Sequence, residues 1–398
     1  MIAVGIDVSN GKSMIAALTE QGELVLPPKE YQHSEQGLNR LIEILHGISQ
    51  EIRVVMEATG HYHYPILKKL IQAGLFVSVI NPYLMKKYTD GVIRKGKTDK
   101  KDAIKIATYC LEKWYKLVPY TEAEKQYDDL KFLSRQYNQT MSMKVKAKVQ
   151  LSHLLDLSMP GIKPVFKSNT VDTTRNILYD FIEKYQHFDN IKKMEKEGFI
   201  TEYCTWVKEK GYRNGSNKAE YIYLLTQNSI PTRAADSCTC AALTQCLLLV
   251  KQSDTACNAI LAQMNEIAKT LPEYPVVRAM AGVGDKLAPR LIAEIGDVRR
   301  FTSGKALNAY AGNDAPPFQS GQYEGTRRHI SKRGSASLRK AGYEVMKALK
   351  TVKPENDAVY LFMLKKESEG KPKNVAKMAA LNKFLRIYYA KTMELYAA

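Results

Sequence analysis

The first eighty residues of this chain set an order of strands that few folds share. Apolar stretches of strand length occupy residues 2–8, 13–19 and 23–30. Two glycine-containing turns, Asn10-Gly11 and Gln21-Gly22, separate these stretches. Because consecutive strands joined by such short turns pair antiparallel, the pattern predicts a three-stranded meander at the start of the chain.

Helices and strands alternate after the meander. Ser34 can cap a helix through residues 38–45, because a serine side chain accepts a hydrogen bond from the first turn. A strand is predicted at 52–58, a helix at 61–71 and a last strand at 75–80. The resulting order β-β-β-α-β-α-β-α is that of the ribonuclease-H fold. We therefore predict an α/β domain of this fold over residues 1–118.

A helical region with a polar insert at about 158–235 is predicted over residues 119–271. Its first arm has an apolar face: Leu130, Leu133, Tyr137, Met141, Val145 and Val149, with Lys131, Arg135, Lys144 and Lys148 on the other side. Its second arm has a heptad pattern: Leu243, Cys246, Val250, Ser253, Cys257, Ile260, Met264 and Ile267. The heptads fit equally a coiled coil between subunits and a helical hairpin within one chain. Residues 272–398 form a third, mostly helical segment.

Four acids stand at the ends of predicted core elements. Asp7 ends the first strand and Glu57 the fourth, and these strands can be neighbours in a ribonuclease-H sheet. Asp99 and Asp102 are three residues apart at the start of a predicted helix, so both face the same way. Clustered carboxylates need a compensating cation, usually Mg²⁺ or Mn²⁺. Two such ions about 4 Å apart stabilise the attacking and leaving oxygens in phosphodiester chemistry, so the acids predict a two-metal site.

The charge of the chain indicates a polyanionic partner. Lys and Arg number 59 against 41 Asp and Glu, and the formal net charge of +18 favours binding to nucleic acid. The last pair of acids is surrounded by Lys95, Lys97, Lys100 and Lys101. These lysines predict phosphate contacts, with a solvated loop as the alternative. Tyr62 and Tyr64 fit either stacking on bases or packing in the core.

Two further features mark residues 272–398. Gly282-Val283-Gly284 lies between apolar helical stretches, as in a helix-hairpin-helix, where backbone N–H groups at a helix start contact a phosphate. Ser320 lies in a Pro- and Gly-rich loop just before a basic patch made of Arg327, Arg328, Lys332 and Arg333. Serine is common in turns, so residue preference alone makes Ser320 a turn serine. Its hydroxyl is also a poor nucleophile without an assisting base or cation.

Short motifs at both ends of the chain, taken together, resemble one family. At the front they are Gly5-Ile6-Asp7-Val8-Ser9, Met56-Glu57-Ala58-Thr59-Gly60 and Lys97-Thr98-Asp99-Lys100-Lys101-Asp102-Ala103. At the back they are Gly282-Val283-Gly284, Ala311-Gly312, Ser320-Gly321, Ile330-Ser331-Lys332-Arg333-Gly334, Leu338-Arg339 and Lys373-Asn374-Val375-Ala376. The chain resembles the DEDD transposases of the IS110 insertion-sequence family, also called bridge recombinases. Its middle resembles them only in being helical, and Asn313-Asp314 stands where the family more often has an apolar residue.

The resemblance implies a RuvC-like front whose Asp7, Glu57, Asp99 and Asp102 bind Mg²⁺ or Mn²⁺. It implies a transposase domain over residues 272–398, in which Ser320 forms a covalent phosphoserine link to DNA. Arg327, Arg328, Lys332 and Arg333 would then offset phosphate charge, and Ser331 and Ser335 are the fallback nucleophiles. A bridge RNA would pair with target and donor double-stranded DNA, and strands would be exchanged through a Holliday junction. Acids of one subunit would meet the serine of another in a tetramer, a dimer of dimers.

Two alternatives stay open. A RuvC-like Holliday-junction nuclease would use water and keep its cleavage without Ser320. A non-catalytic DNA- or RNA-binding protein would work without metal. No apolar run is long enough to cross a bilayer, so we expect no membrane partner. We expect a cytoplasmic, nucleoid-associated protein of a bacterium or archaeon.

Overall fold

The computed structural model describes residues 1–89, 98–121, 124–166, 176–213, 215–316 and 329–397, and the backbone alone of 319–320 and 323–324. It divides into two compact units, Met1–Glu122 and Ala123–Ala398. Within the described ranges, the helices are all too short or too polar to cross a membrane.

The first unit contains a mixed sheet. Its elements are β1 (Ile2–Ser9), β2 (Lys12–Thr19), β3 (Leu24–Gln32), α1 (Glu35–His46), β4 (Ile52–Glu57), α2 (Tyr64–Gln72), β5 (Phe76–Ile80), α3 (Pro82–Thr89) and α4 (Asp99–Glu112). Among the described residues the strand order is β3-β2-β1-β4-β5. The meander β1-β2-β3 is antiparallel, and β4 runs parallel to both β1 and β5. This is the strand order of the ribonuclease-H fold, so the fold prediction is confirmed.

Local signals explain where these elements begin. Gly11 and Gly22 have φ angles of +73° and +84°, the left-handed conformation that suits the tight turns of the meander. Ser34 caps α1 by accepting a hydrogen bond from the Gly37 amide at 3.1 Å. The helix predicted from residue 61 begins later, at Tyr64, because residues 60–63 form turns.

Helix α4 crosses the sheet against β1 at a glycine. A Cβ on Gly5 would lie 2.2 Å from the carbonyl oxygen of Ala103 and 2.2 Å from the amide nitrogen of Ala107. The missing side chain therefore lets the two backbones touch. Glu30 and, to a smaller extent, Asp99 at the start of α4 raise the pKa of Lys12, the first residue of β2. The first turn of α4 thus lies at the carboxyl end of β1.

The second unit is almost wholly helical among its described residues. Its elements are α5 (Lys125–Ser158), α6 (Ile162–Val165), α7 (Ile177–Tyr185), α8 (Phe188–Lys192), α9 (Lys196–Glu209), α10 (Ser216–Asn228), α11 (Ser237–Lys269), α12 (Tyr274–Arg278), α13 (Ala288–Ile295), α14 (Gly304–Ala311), β6 (Gln319–Ser320), β7 (Tyr323–Glu324), α15 (Ala336–Val352), α16 (Ala358–Ser368) and α17 (Lys373–Glu394). One core joins α12–α17 to parts of α5 and α11. This core includes residues on both sides of the predicted boundary between residues 271 and 272. That boundary stays a prediction.

The long helices α5 and α11 run antiparallel along each other. Lys144 pairs with Asp254, and the Cys246 thiol donates to the Ala147 carbonyl oxygen at 3.4 Å. The heptad residues Leu243, Cys246, Val250, Cys257 and Met264 are buried. They pack within one chain, as the hairpin alternative predicts. A coiled coil between subunits stays a prediction.

The apolar face predicted on α5 is correct only in its first half. Tyr137 is buried, whereas Val145 and Val149 are 53% and 52% exposed. Beyond residue 141 the buried face consists of Lys144, Ala147, Leu151, Leu155 and Ser158, so it includes a lysine that the sequence predicts on the polar side. The Lys144 ammonium is held there by the Asp254 carboxylate, because a buried charge requires a partner of opposite sign.

Residues 158–235, predicted as a polar insert, carry an aromatic core. Phe181, Phe188, Phe199 and Tyr203 are fully buried, and this core also includes residues of α5 and α11. The segment begins and ends at one place: the amides of Thr232 and Arg233 donate to the Leu157 carbonyl oxygen at 2.9 and 3.2 Å. The chain therefore returns to the end of α5 before α11 begins.

Candidate active site

Two of the four predicted acids lie side by side at the carboxyl edge of the sheet. In the parallel pair β1–β4, Ile6 lies opposite Met56. Asp7 and Glu57 are the next residues of the two strands, so they are neighbours, and both are half-buried. Parallel strands end at the same edge, which is why carboxylates so distant in sequence come together.

Helix α4 brings the other two acids to the carboxyl end of β1. Thr98 caps the helix by accepting a hydrogen bond from the Lys101 amide at 3.3 Å. Asp99 and Asp102 occupy the first turn, where the helix dipole favours negative charge. Asp99 is exposed, whereas Asp102 is half-buried and forms a 2.9 Å salt bridge with Lys105.

The chemistry of this donor set fits a hard divalent cation, because Mg²⁺ and Mn²⁺ prefer carboxylate oxygens. Yet across the ranges that the structure describes, no three His, Cys, Asp or Glu side chains lie close enough to hold one ion. Asp102 is paired here with Lys105 through Oδ1. An ion bound by Asp102 would therefore share this carboxylate with Lys105 or compete with the ammonium for it.

The predicted phosphate contacts beside the acids divide into two groups. Lys100 and Lys101 are exposed in the first turn of α4. Lys95 and Lys97 lie outside the described residues. Of the two tyrosines after Glu57, Tyr62 packs against the core of the unit, whereas Tyr64 is 51% exposed. Packing thus explains Tyr62, and Tyr64 presents its ring to solvent.

The sequence did not single out His63 as a functional residue. It occupies the position before α2 without a capping side-chain hydrogen bond, directly after the turn that follows Glu57, and it is buried. Its Nδ1 has no hydrogen-bond partner among the described residues. Burial lowers the pKa of His63, although a hydrogen bond with the Thr59 backbone opposes this shift. A histidine within a stretch of aromatic residues was the available signal, and it is equally typical of a core residue.

Ser320 belongs to the second unit and lies on a short hairpin. It ends β6, and its backbone pairs with Tyr323 of β7. The side chains of both residues, and the whole of Arg327 and Arg328, lie outside the described residues. Lys332 and Arg333, on the carboxyl side of the hairpin, are exposed.

Two segments flank the hairpin in sequence, residues 310–314 and 331–335. They lie against each other and are termed the stem. Three backbone hydrogen bonds join them: Ser331 to Asp314, Lys332 to Gly312 and Ser335 to Tyr310, at 2.7, 3.0 and 2.7 Å, with the first residue donating in each. Asn313 anchors the stem from below, because its side-chain amide donates to the Met378 carbonyl oxygen of α17 at 3.1 Å.

Two glycines and one arginine make the stem compact. A Cβ on Gly334 would lie 2.1 Å from the Tyr310 carbonyl oxygen. Gly312 has a φ of +63°, and a Cβ there would lie 2.6 Å from the Gly334 amide nitrogen. Arg339 of α15 donates through Nη1 to the carbonyl oxygens of Ala311 and Gly334, at 2.8 and 3.1 Å. The guanidinium therefore holds both sides of the stem together.

Both fallback serines take part in this scaffold. The Ser331 hydroxyl donates to Asp314 Oδ1 at 2.5 Å. The Ser335 hydroxyl accepts from the Leu338 amide at 3.1 Å, which caps α15, and donates to the buried Glu294 at 3.2 Å. Each hydroxyl therefore has a structural role that does not require nucleophilic chemistry.

The glycines of the predicted helix-hairpin-helix differ in their surroundings. Gly282 has a φ of +77°, and a Cβ there would lie 3.0 Å from Leu349 Cγ and 3.1 Å from the Val345 carbonyl oxygen of α15. Close packing therefore explains Gly282 without a bound phosphate. Gly284 has open space around its Cα. A phosphate contact at these glycines stays a prediction.

Two family models match the chain, and together they cover both predicted parts of the site. One, described as a transposase of the DEDD IS110 type, matches residues 4–160. The other, described as "Transposase IS116/IS110/IS902 family", matches residues 274–361. Among curated proteins, none matches the chain.

Solved structures similar to this chain include two of RuvC from Thermus thermophilus. One is the protein alone, at 17% identity over 30% of this chain and 100% of that chain, with a TM-score of 0.24. The other is RuvC in complex with a Holliday junction substrate, at 17% identity over 30% of this chain and 99% of that chain, also with a TM-score of 0.24. The fold assignment rests on the strand order of the first unit and not on these values. Since the two family models fall on the segment with the four acids and on the segment with the serine hairpin, the chain belongs to the IS110 family of transposases and is a DNA-processing enzyme.

Proposed function

We propose that this chain is an RNA-guided DNA recombinase of an insertion sequence, in which Ser320 is the nucleophile. The observation that supports this most is the meeting of Asp7 and Glu57 at one sheet edge, beside the acidic first turn of α4, in a transposase. The stem adds support, because it fixes both ends of the segment that carries Ser320. Catalytic loops on rigid scaffolds are a common arrangement in enzymes.

The serine reaction conserves the phosphodiester bond energy. Ser320 Oγ attacks the phosphorus and its proton passes to a base, while the bond between phosphorus and the leaving sugar oxygen breaks. That sugar oxygen takes up a proton. The phosphoserine formed in this way can be attacked by another sugar hydroxyl, which rejoins DNA and releases the serine. Arg327, Arg328, Lys332 and Arg333 offset the negative charge of the phosphate in the transition state.

Asp7, Glu57, Asp99 and Asp102 are the residues that would hold Mg²⁺ or Mn²⁺. When bound, such an ion supplies Lewis-acid stabilisation of phosphate oxygens. The sheet fixes the backbones of Asp7 and Glu57, whereas Asp102 is already paired with Lys105. We infer that ion binding and the loss of this salt bridge are coupled.

The proposal includes a bridge RNA that pairs with target and donor DNA, and a tetramer that shares its active sites between subunits. The net charge of +18 supports polyanionic partners. The acids and the serine lie in separate compact units, which is compatible with a site completed by another subunit.

A covalent adduct tests the serine mechanism directly. The protein is incubated with the element's noncoding RNA, both DNAs and Mg²⁺, and the products are separated under denaturing conditions. We expect a protein–DNA adduct for the wild type and for Ser331→Ala, and none for Ser320→Ala. Removal of the metal with a chelator, or Asp7→Asn, is expected to abolish the adduct while RNA and DNA still bind.

Three outcomes contradict the proposal in different ways. Cleavage that persists in Ser320→Ala would indicate a nuclease that uses water. An adduct lost in Ser331→Ala but kept in Ser320→Ala would move the nucleophile. Function that is independent of metal and of Asp7 would indicate a nucleic-acid-binding protein without catalysis.

A further inference from the structure

One tyrosine of the second unit holds two lysines against its ring. Lys347 Nζ lies 5.2 Å and Lys377 Nζ 5.4 Å from the ring centroid of Tyr343. The Tyr343 hydroxyl donates to Asn374 Oδ1 at 2.8 Å, which fixes the ring between α15 and the start of α17. Lys340 is exposed one helical turn before Tyr343. These residues, Lys340, Tyr343, Lys347, Asn374 and Lys377, are termed the tyrosine face.

The tyrosine face is positively charged and is not neutralised within the described part of the chain. Lys340, Lys347 and Lys377 form no salt bridge there. The acid nearest in sequence, Glu344, is already bound by Arg290. Both ammonium groups lie within 5.4 Å of the centroid of the Tyr343 ring. Their like charges therefore repel each other. An anion that contacts both ammonium groups would lower this repulsion.

A second ring in the same unit has the same cation arrangement but is supplied with acids. Phe362 of α16 lies 5.4 Å from Lys366 Nζ and 5.1 Å from Lys383 Nζ. Lys366 pairs with Glu369 at 2.7 Å. This fold therefore places an acid beside one lysine pair and, among the described residues, leaves the other pair without one.

The charge at the start of α17 is also opposite to what helix stability favours. The first turn contains Lys373 and no acid, and the preceding Pro372 provides no side-chain cap. A cation in this position interacts unfavourably with the helix dipole. Lys373 is exposed and lies next to Asn374 of the tyrosine face. The helix itself therefore gives no stabilising role to this positive charge.

We infer that the tyrosine face binds the phosphate backbone of double-stranded DNA beside the bond that Ser320 attacks. The inference rests on the proposed function, because α15 begins directly after the stem that carries Ser320. Lysine ammonium groups contact phosphates and do not distinguish bases, so the face positions DNA without reading its sequence. DNA is the substrate that a transposase implies, and RNA binding at this face is the competing outcome of the test.

Salt-dependent binding of a random-sequence DNA duplex, measured without divalent cations, tests the inference. Lys347→Gln/Lys377→Gln is expected to weaken binding about tenfold and to lower the slope of log affinity against log salt by about 2, because each phosphate contact contributes about 0.9. Lys366→Gln/Lys383→Gln removes the same charge at Phe362 and is the matched control. We expect its slope to equal that of the wild type. Lys347→Arg/Lys377→Arg is expected to keep the wild-type slope.

The outcomes separate this inference from the serine mechanism. Equal loss in both Gln double variants would mean that net charge alone acts, and the inference would be wrong. It would also be wrong if binding of a hairpin RNA of equal charge fell while DNA binding held. If the double variant is unfolded by circular dichroism, Lys347→Gln alone decides, with an expected slope change of about 1. The binding measurement uses no divalent cation and forms no adduct, so a failed adduct assay leaves this measurement intact.

Discussion

The sheet edge with the acids and the stem with the serine are built in opposite ways. At the edge, regular strands pair over their full length, and Asp7 and Glu57 are carried to one place by the register of β1 and β4. In the stem, irregular backbone is held by three hydrogen bonds and by the guanidinium of Arg339. The strand residues just before the two acids, Ile6 and Met56, belong to the hydrophobic core of the first unit. The stem instead packs at the surface of the core of the second unit.

Because of this difference, we expect substitutions at the edge to affect mainly stability and substitutions in the stem to affect mainly catalysis. Both regions depend on a glycine that lets two backbones touch, Gly5 at α4 and Gly334 at Tyr310. Disturbing the first contact displaces a core helix of the first unit. Disturbing the second opens the stem next to the segment that carries Ser320, the proposed nucleophile. Substitutions at the two glycines therefore compare the regions directly.

Gly5→Ala is expected to have the largest effect. Its Cβ would lie 2.2 Å from backbone atoms of Ala103 and Ala107, which cannot move unless α4 leaves the sheet. We expect a loss of about 3 kcal/mol in the free energy of unfolding, at the upper end for overpacking, measured by chemical denaturation. Gly198→Ala in α9 is the control, because nothing lies within 4 Å of its Cβ. A Gly5→Ala protein as stable as the control would contradict the close contact of α4 and β1.

Gly334→Ala is expected to affect catalysis more than stability. The Cβ would lie 2.1 Å from the Tyr310 carbonyl oxygen, so the stem has to open. Because small displacements of reacting groups cost about a hundredfold in rate, we expect adduct formation to slow by about that factor. Thermal denaturation should show a smaller loss than for Gly5→Ala, since the stem can open locally. Adduct formation at the wild-type rate would show that the stem does not position Ser320.

Lys105→Gln is expected to have the smallest effect, and in the favourable direction. Removing the ammonium frees Asp102 from its 2.9 Å salt bridge, so a divalent ion no longer competes with it. Since partly exposed ion pairs contribute about 1 kcal/mol or less, we expect Mn²⁺ to bind up to about fivefold more tightly by calorimetry. Lys116→Gln, an exposed lysine of the same unit, controls for net charge. Unchanged or weaker binding in Lys105→Gln would mean that Asp102 is not a ligand.

The strands and the placement of the acids could be predicted because their causes are local. Apolar stretches predict β1 to β5, and the Ser34 cap depends only on the next few residues. Once the strand order is known, Asp7 and Glu57 follow at one edge. The convergence of the four carboxylates on one ion does not follow in the same way, because it depends on side-chain conformation.

The stem and the burial of Lys144 could not be predicted, because their causes are distant in the chain. Arg339 reaches a carbonyl oxygen 28 residues earlier, and Lys144 reaches Asp254, 110 residues later. No periodic pattern links such partners. Gly312 and Gly334 were visible in the sequence, but a glycine alone predicts only a turn. A lysine in a helical repeat equally predicts a solvent-facing position, which is where Lys144 was wrongly placed.

Because the chain returns to Leu157, residues 158–231 form an insertion whose two ends lie close together. The segment leaves and re-enters the long helical pair at one point, so its length does not affect the span between α5 and α11. It also lies almost wholly outside the two stretches that the family models match, 4–160 and 274–361. Another folded module could be exchanged into this position, provided that it covers Leu151 and Leu243 as the present one does. For protein engineering, this position is a site at which a domain can be inserted or exchanged.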